Sequence, residues 1–300
     1  MLHMIKEWGL RPLAVHYDNT WNSAIATQNI KIMLDELNID LYTHVVANDE
    51  ADSIFRAFFR AGVPELDAST DLALAEVLYR AADKYGVKYI IEGHSFVTEG
   101  VGPLGDFYFD GRYIDSINKK FGNKKIKTYP LMSFYQFMKW VLVKRIKKIR
   151  PLWYIDYSKE EAIKILEANY AWRYYGGHHC ENRLSAFLHS VWLPQKIRRD
   201  LRSLTLGARA RSKKISRDDA LVELNKPIEY EVGLVEYFKK RLNISDTEYT
   251  NIMSLPPKSF KDFPNYKRLF EKLRPMFYML YKSNLVPKSF YIKYTSKDDI

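Results

Sequence analysis

The chain has a single cysteine, Cys180, in 300 residues. One thiol excludes a disulfide framework and any multi-cysteine zinc site built by this chain alone, and it points to a reducing compartment. Long apolar runs are lacking too: nothing approaches the ~18 consecutive apolar residues of a membrane span. Met1 to Leu10 carries Glu7 and no apolar stretch, so no signal peptide is expected. Internal repeats and low-complexity linkers are absent. Acidic residues are missing from one long stretch. Residues 116–150 hold 11 basic and no acidic side chains, against 9 and 18 in residues 1–115 and 27 and 18 in residues 151–300. So abrupt a shift marks an organisational boundary near residue 116. What remains is ordinary for a soluble chain, with 47% hydrophobic residues, 28% charged residues and a formal charge of +11. The length holds a sizeable core in one or two domains.

The first third alternates strand and helix patterns. Pro12 to His16 is a short apolar run ending in Tyr17-Asp18-Asn19, and a helical spacing follows through Ile25, Ile30, Met33, Leu34 and Leu37. Leu41 to Val46 is rich in β-formers. Helices are expected around Ile54 to Phe59 and from Asp67 to Ala82, with Gly86 as a stop signal. Val87 to Ile91 is the best strand of the chain and runs into Glu92-Gly93-His94-Ser95. Strands joined by helices of this length predict a parallel sheet. Gly100 to Gly122 reads as a loop region, Phe134 to Ile149 as an amphipathic basic helix, and Arg150 to Ile155 as a last short strand. Ser158 and Ser245 open capping-box patterns. Glu181 to Val191, Val232 to Leu242 and Pro264 to Tyr281 read as helices. The expectation is an α/β half, residues 1–155, followed by a mostly helical half, residues 156–300.

Ligands of open parallel sheets bind beyond the carboxyl ends of the strands. Two polar clusters fall there, His16 to Ser23 and Gly93 to Glu99, and both are expected to line one crevice.

These residues carry a resemblance. Tyr89-Ile90-Ile91-Glu92-Gly93-His94-Ser95 with Thr98-Glu99 resembles the strand and Gly-His signature of the PP-loop ATP pyrophosphatases. Arg150-Pro151-Leu152 and Lys159-Glu160-Glu161 resemble elements that follow in that superfamily. His16 to Ser23, Ala68 to Ala73, Tyr174 to Arg183 and Leu193-Pro194-Gln195-Lys196 resemble the N-acetyl sugar amidotransferases of bacterial lipopolysaccharide, O-antigen and flagellin-glycan biosynthesis. The superfamily's Ser-Gly-Gly-x-Asp-Ser phosphate loop is not in this sequence, whose one Gly-Gly is Gly176-Gly177. The resemblance therefore implies a Rossmann-like parallel sheet of the PP-loop (HUP) type without its first strand and phosphate loop.

It also implies a reaction. An amide oxygen attacks the α-phosphate of ATP, pyrophosphate leaves, and ammonia displaces AMP to give an acetamidino sugar. The cofactors implied are ATP and Mg²⁺. The substrate is a nucleotide-sugar, and the partners are glutaminase and cyclase-like subunits that supply ammonia. Asp18, Asp71, Gly93, His94 and Ser95 are the candidates for the nucleotide, and Glu99 for Mg²⁺. His178, His179, Glu181 and Arg183 are the catalytic candidates, with a histidine taking a proton from ammonia and Arg183 forking onto phosphate or carboxylate. Each has a plainer reading. Asp18 suits a turn, Asp71 the first turn of a helix, His94 and Glu99 a polar loop, and Glu181 a helix start. Zinc on His178, His179 and His189 fits no standard tetrahedral spacing. The basic residues near 144–150 suit a solvated face, an acidic partner or an anionic membrane surface. A cytoplasmic protein is expected, with or without a peripheral place at the inner membrane. The alternatives are a PP-loop enzyme of tRNA, against which the single cysteine counts in the thiolating branch, and a non-catalytic, partner-binding or truncated subunit. Nucleic acid is not the expected partner.

Overall fold

The computed structural model describes residues 2–100, 102, 107–177 and 179–297. Two parallel strand pairs form its sheets. β1 (Ala14–Asp18) lies beside β2 (Leu41–Val45), with Ala14 opposite Leu41 and Asp18 opposite Val45. β3 (Tyr89–Ile91) lies beside β4 (Lys147–Ile149). The expected single Rossmann-like sheet is thus two separate two-stranded sheets. Among the described residues, β1 and β3 each have a strand partner on one edge, and the same helix, α4, packs against both.

The helices preceding β3 are α1 (Leu2–Lys6), α2 (Ala24–Leu37), α3 (Asn48–Ala61) and α4 (Ala68–Lys84). Ser23 caps α2 by accepting from the Ala26 amide, and α3 stops at Gly62, whose φ of +71° suits glycine. Then come α5 (Phe96–Glu99), α6 (Gly111–Phe121) and α7 (Phe134–Met138), the last continued by a π-helical turn to Val143. The C-terminal half holds α8 (Lys159–Tyr170), α9 (Arg183–Phe187), α10 (Arg202–Arg211), α11 (Arg217–Leu224), α12 (Leu234–Leu242), α13 (Asp246–Ser254), α14 (Lys267–Lys272), α15 (Arg274–Lys282) and α16 (Lys288–Thr295). Among the described residues, no helix is long and apolar enough to cross a membrane.

Five expectations need correction. The loop read over Gly100 to Gly122 contains α6, because Asp110 caps it at the Tyr113 amide and Tyr113, Ile114 and Ile117 are buried. The basic helix read from Phe134 to Ile149 ends near Lys144. Arg145 takes the left-handed conformation (φ +55°), and the Ile146 amide bonds back to the Trp140 carbonyl. The chain then leaves as β4, so the last strand is Lys147–Ile149, while Pro151–Trp153 is a 3₁₀ turn. The helix read from Glu181 is α9 running into a π-helical segment, Leu188–Ile197, that contains Pro194. The one read from Pro264 to Tyr281 is two helices, α14 and α15, broken at Leu273.

Packing crosses residue 156 in both apolar clusters. One joins Trp21, Phe55 and Phe59 to Phe187, Trp192 and Phe238, and the Phe187 and Phe238 rings stack 3.7 Å apart. The other joins Tyr79, Phe137 and Trp140 to Phe270, Phe277 and Leu280. Such aromatic contacts add to the burial of their area.

Candidate functional site

The site begins with a turn. At the end of β1, Asp18 Oδ1 accepts the Thr20 amide at 2.7 Å and Asn19 Oδ1 accepts the Trp21 amide at 3.1 Å. These side chains hold the loop open so that a distant segment docks on it. Asn182 Nδ2 donates to Asn19 Oδ1 at 2.9 Å and to Asn22 Oδ1 at 3.2 Å. The Arg183 amide donates to the Trp21 carbonyl, and the Ser23 amide to the Glu181 carbonyl, both at 2.8 Å. Trp21 anchors the joint: it is fully buried, its indole N–H donates to Asp52, and the Arg241 guanidinium lies 4.2 Å over its ring. Two strings read separately in the sequence, 16–23 and 174–183, therefore meet.

Below this joint the docked segment reaches polar side chains at the start of α4. Asp67 is the residue before α4, and Ser185 Oγ donates to its Oδ2 at 2.5 Å. Burial, then the charge of Asp71, push the Asp67 carboxyl up to about 7. Asp71 is reached by solvent, yet so much protein surrounds it that burial raises its carboxyl as well. The charges of Lys293, His179, His94 and Lys148 act on it in the opposite sense.

Two histidine rings stand together here, His179 and His189, with centroids 5.1 Å apart. Burial works to lower His179, but the hydrogen bond and charge of Glu181, at 3.3 Å from Nδ1, and the charges of Asp71 and Asp67 prevail and hold it above its ordinary value. His189 goes the other way, pushed down to about 3 by burial and by the charge of His179. One ring is thus disposed to carry a proton and its neighbour to remain neutral. Lys293, from α16, lies 4.2 Å over the Phe109 ring. Burial lowers its amine, against the charges of Asp71 and Glu65. Glu65 is buried and pushed up to about 7 by that burial. The hydroxyls of Tyr17 and Tyr129 meet at 2.8 Å nearby.

The other candidates are placed as follows. Asp18 makes the turn that its plainer reading required. Gly93, His94 and Ser95 follow β3, and His94 Nδ1 is 3.7 Å from Glu92. Ser95 precedes α5, buried. Glu99 ends α5, which packs on α10, and its charge acts on Tyr157. Arg183 has its guanidinium fork on Glu231, at 2.8 and 2.7 Å, and lies 4.9 Å over Tyr237. His178 lies outside the described residues. Asp71, His94, His179 and Glu181 are therefore brought together. Asp18 sits in the loop above them, Glu99 on α5 and Arg183 on an ion pair.

Sequence reading missed Asp67, Lys293 and Glu65. Asp67 was legible only as a residue opening a helix, and Lys293 comes from the far end of the chain. Three buried polar atoms about the site, Asp67 Oδ1, Ser69 Oγ and Ser95 Oγ, make no hydrogen bond among the described residues. Buried polar groups of that kind are ready to bond a polar ligand. No three His, Cys, Asp or Glu among the described residues gather to hold a metal ion.

The string Leu193 to Lys196 serves packing: Lys196 is buried and donates to the carbonyls of Ile252 and Leu255 at the end of α13. No curated protein matches the chain. Residues 181–274 match the family model for the LPS biosynthesis protein WbpG-like, C-terminal domain. The matched segment opens at Glu181, where the chain docks on the β1 loop.

Proposed function

We propose that the chain works in lipopolysaccharide biosynthesis as an ATP-dependent amidotransferase that turns a sugar N-acetyl group into an acetamidino group. The observation that carries this reading is the docking of the WbpG-like segment, from Glu181, over the acids at the start of α4. The unsatisfied Asp67, Ser69 and Ser95 atoms suit a polyoxygen ligand such as a nucleotide. Asp67 and Asp71 would be the carboxylates to hold a Mg²⁺, which would supply positive charge against the phosphates and needs only one or two carboxylates from protein. ATP supplies activation of the amide oxygen.

The chain's own groups do the rest. Lys293 and protonated His179 set positive charge where phosphate charge develops, with the His94 ring beside them as a polar contact. Glu181 fixes the His179 ring and keeps its proton. Neutral His189 adds no charge directly beside the His179 ring. Arg183 positions the segment through Glu231 and Tyr237. Ammonia comes from glutaminase and cyclase-like subunits, and the work is done in the cytoplasm on a nucleotide-sugar.

The test is genetic and chemical. A deletion strain loses the acetamidino sugar from its nucleotide-sugar pool by mass spectrometry. The gene restores it, while D71N does not. An unchanged pool in the deletion strain overturns the proposal, and restoration by D71N removes this site from it. The 300-residue chain alone is expected to bind ATP poorly, because it has no Ser-Gly-Gly-x-Asp-Ser loop. Tight, Mg²⁺-dependent binding by calorimetry refutes that expectation.

A further inference from the structure

The outer face of α15 differs from an ordinary solvated helix face. Inward, α15 turns Phe277 and Leu280, which are buried, and Phe277 packs against the rings of Phe134 and Phe270. Outward it turns Pro275, Tyr278, Met279 and Lys282, whose i, i+3, i+4, i+7 spacing puts them on one stripe. Met279 is 62% exposed and Tyr278 45%. A stripe facing water carries mostly charged and polar groups. Here a thioether and an amphipathic ring stand at its centre.

The charge around them has one sign. Residues 272–288 hold four basic side chains, Lys272, Arg274, Lys282 and Lys288, and no acid. All four are exposed, and none of them pairs with a carboxylate among the described residues. Glu271, the acid just before this run, is turned to Lys267, 3.7 Å from its Nζ. Neither α16 nor α7, both in contact with α15, carries an acid. Two of the cations are braced. Arg274 Nε donates to the Tyr291 hydroxyl at 3.0 Å, and Lys282 Nζ lies 5.5 Å over the Tyr278 ring. Tyr281 and Tyr291 stack at 5.9 Å and tie α15 to α16. Those two rings face each other, whereas a single-stranded nucleic acid needs open ring faces for its bases and gains little from an exposed methionine.

We propose that this face of α15 docks on an anionic lipid surface. Tyr278 and Met279 enter the headgroup layer, and the four cations lie over lipid phosphates. Tyrosine suits that depth because its ring is apolar and its hydroxyl stays wet. Each basic residue close to an anionic bilayer adds to the attraction. The inference does not rest on the reaction proposed above, and its test uses neither ATP nor ammonia nor turnover.

The full chain is sedimented with vesicles of phosphatidylcholine alone, and with vesicles of equal parts phosphatidylcholine and phosphatidylglycerol. Binding to the anionic vesicles and not to the neutral ones is expected. K272E/K282E weakens it roughly tenfold or more, and M279S weakens it several-fold. K31E/K164E makes the same charge change at exposed positions on α2 and α8, and stays within about twofold of the parent. The proposal is overturned by no binding to the anionic vesicles, by equal binding to both kinds, by parent-like binding of K272E/K282E or M279S, or by an equal loss in K31E/K164E. A chain that ignores the vesicles and binds a single-stranded oligonucleotide through Lys272 and Lys282 overturns it as well. Should a variant fold poorly by circular dichroism, lysine acetylation of the unaltered chain decides. Anionic vesicles then protect Lys272 and Lys282, and unchanged labelling of both overturns the inference.

Discussion

Beyond β3, Glu92 is half-buried between two cations, with Lys148 Nζ at 2.5 Å and Arg150 Nε at 2.9 Å. Near β1, Asp67 is half-buried and Asp71 exposed, both with far less compensation, and Asp67 leaves one oxygen unbonded among the described residues. Glu92 follows β3 directly, whereas Asp67 and Asp71 stand at the start of α4, which packs on β1. Their titration differs in sign. Burial acts to raise Glu92, but Lys148 and Arg150 outweigh it and hold the carboxyl below its usual range. Asp67 is pushed up to about 7 by burial and by Asp71. The first arrangement closes on itself and fastens β3 to β4. The second keeps polar groups in reserve, which costs stability and leaves chemistry open.

The largest effect is expected where the closed arrangement is broken. E92A leaves Lys148 and Arg150 crowded and unpaired, and is expected to cost about 3 kcal/mol in urea unfolding at pH 7. The parent gains the Glu92 contribution above the ordinary carboxylate range and loses it as pH falls through the lowered folded value. E92Q therefore removes part of the acid sensitivity. A cost near zero for E92A removes the contrast between the two arrangements.

Asp67 is expected to act in the opposite direction. Its folded carboxyl binds a proton that the unfolded one has released, so its contribution declines as pH rises from about 4 to about 7. D67N keeps an oxygen for Ser185 and abolishes that decline. It is expected to stabilise the chain at pH 8 by on the order of 1–3 kcal/mol, while abolishing formation of the acetamidino sugar. Equal stability of D67N and parent at pH 5 and pH 8 shows that the site carries no such strain.

His189 supplies a smaller, separate effect on the acid side. Pushed down to about 3, it stays neutral in the folded chain while the unfolded one protonates near its ordinary value. Its contribution is lost as pH falls from about 6.5 toward 3. H189Q is expected to recover about 1 kcal/mol at pH 5 relative to pH 7, read as a difference in urea midpoint. A parallel loss at both pH values assigns His189 to packing alone.

The sequence carried the elements whose cues are local. β1, β2, β3 and α4 showed in apolar runs and helical spacing, and Ser158 and Ser245 cap α8 and α13 by accepting the Glu161 and Glu248 amides. β4 was hidden because its three residues, Lys147-Lys148-Ile149, look like the tail of a basic helix and become a strand only by pairing with β3. The sheet-end argument placed His94 and the 16–23 loop. It also brought in Asp71 through the resemblance, but it did not reach Asp67 or Lys293. Their weight comes from tertiary enclosure, which no spacing encodes. Glu92 was read as part of a motif, and only its contact with Lys148 and Arg150 shows that it is satisfied.

Arg183 tests where the boundary between closed and open groups runs. Its fork is filled by Glu231 and its face rests on Tyr237, with the two charged side chains 31% and 51% exposed. An ion pair that wet contributes at most about 1 kcal/mol. R183K cannot fork, so it is expected to lose less than that in urea unfolding and still to restore the acetamidino sugar in the deletion strain. Loss of the product at unchanged stability reassigns the guanidinium. It then leaves Glu231 for an anionic substrate, and Arg183 joins Asp67 and Asp71 among the groups held ready rather than Glu92 among those already closed.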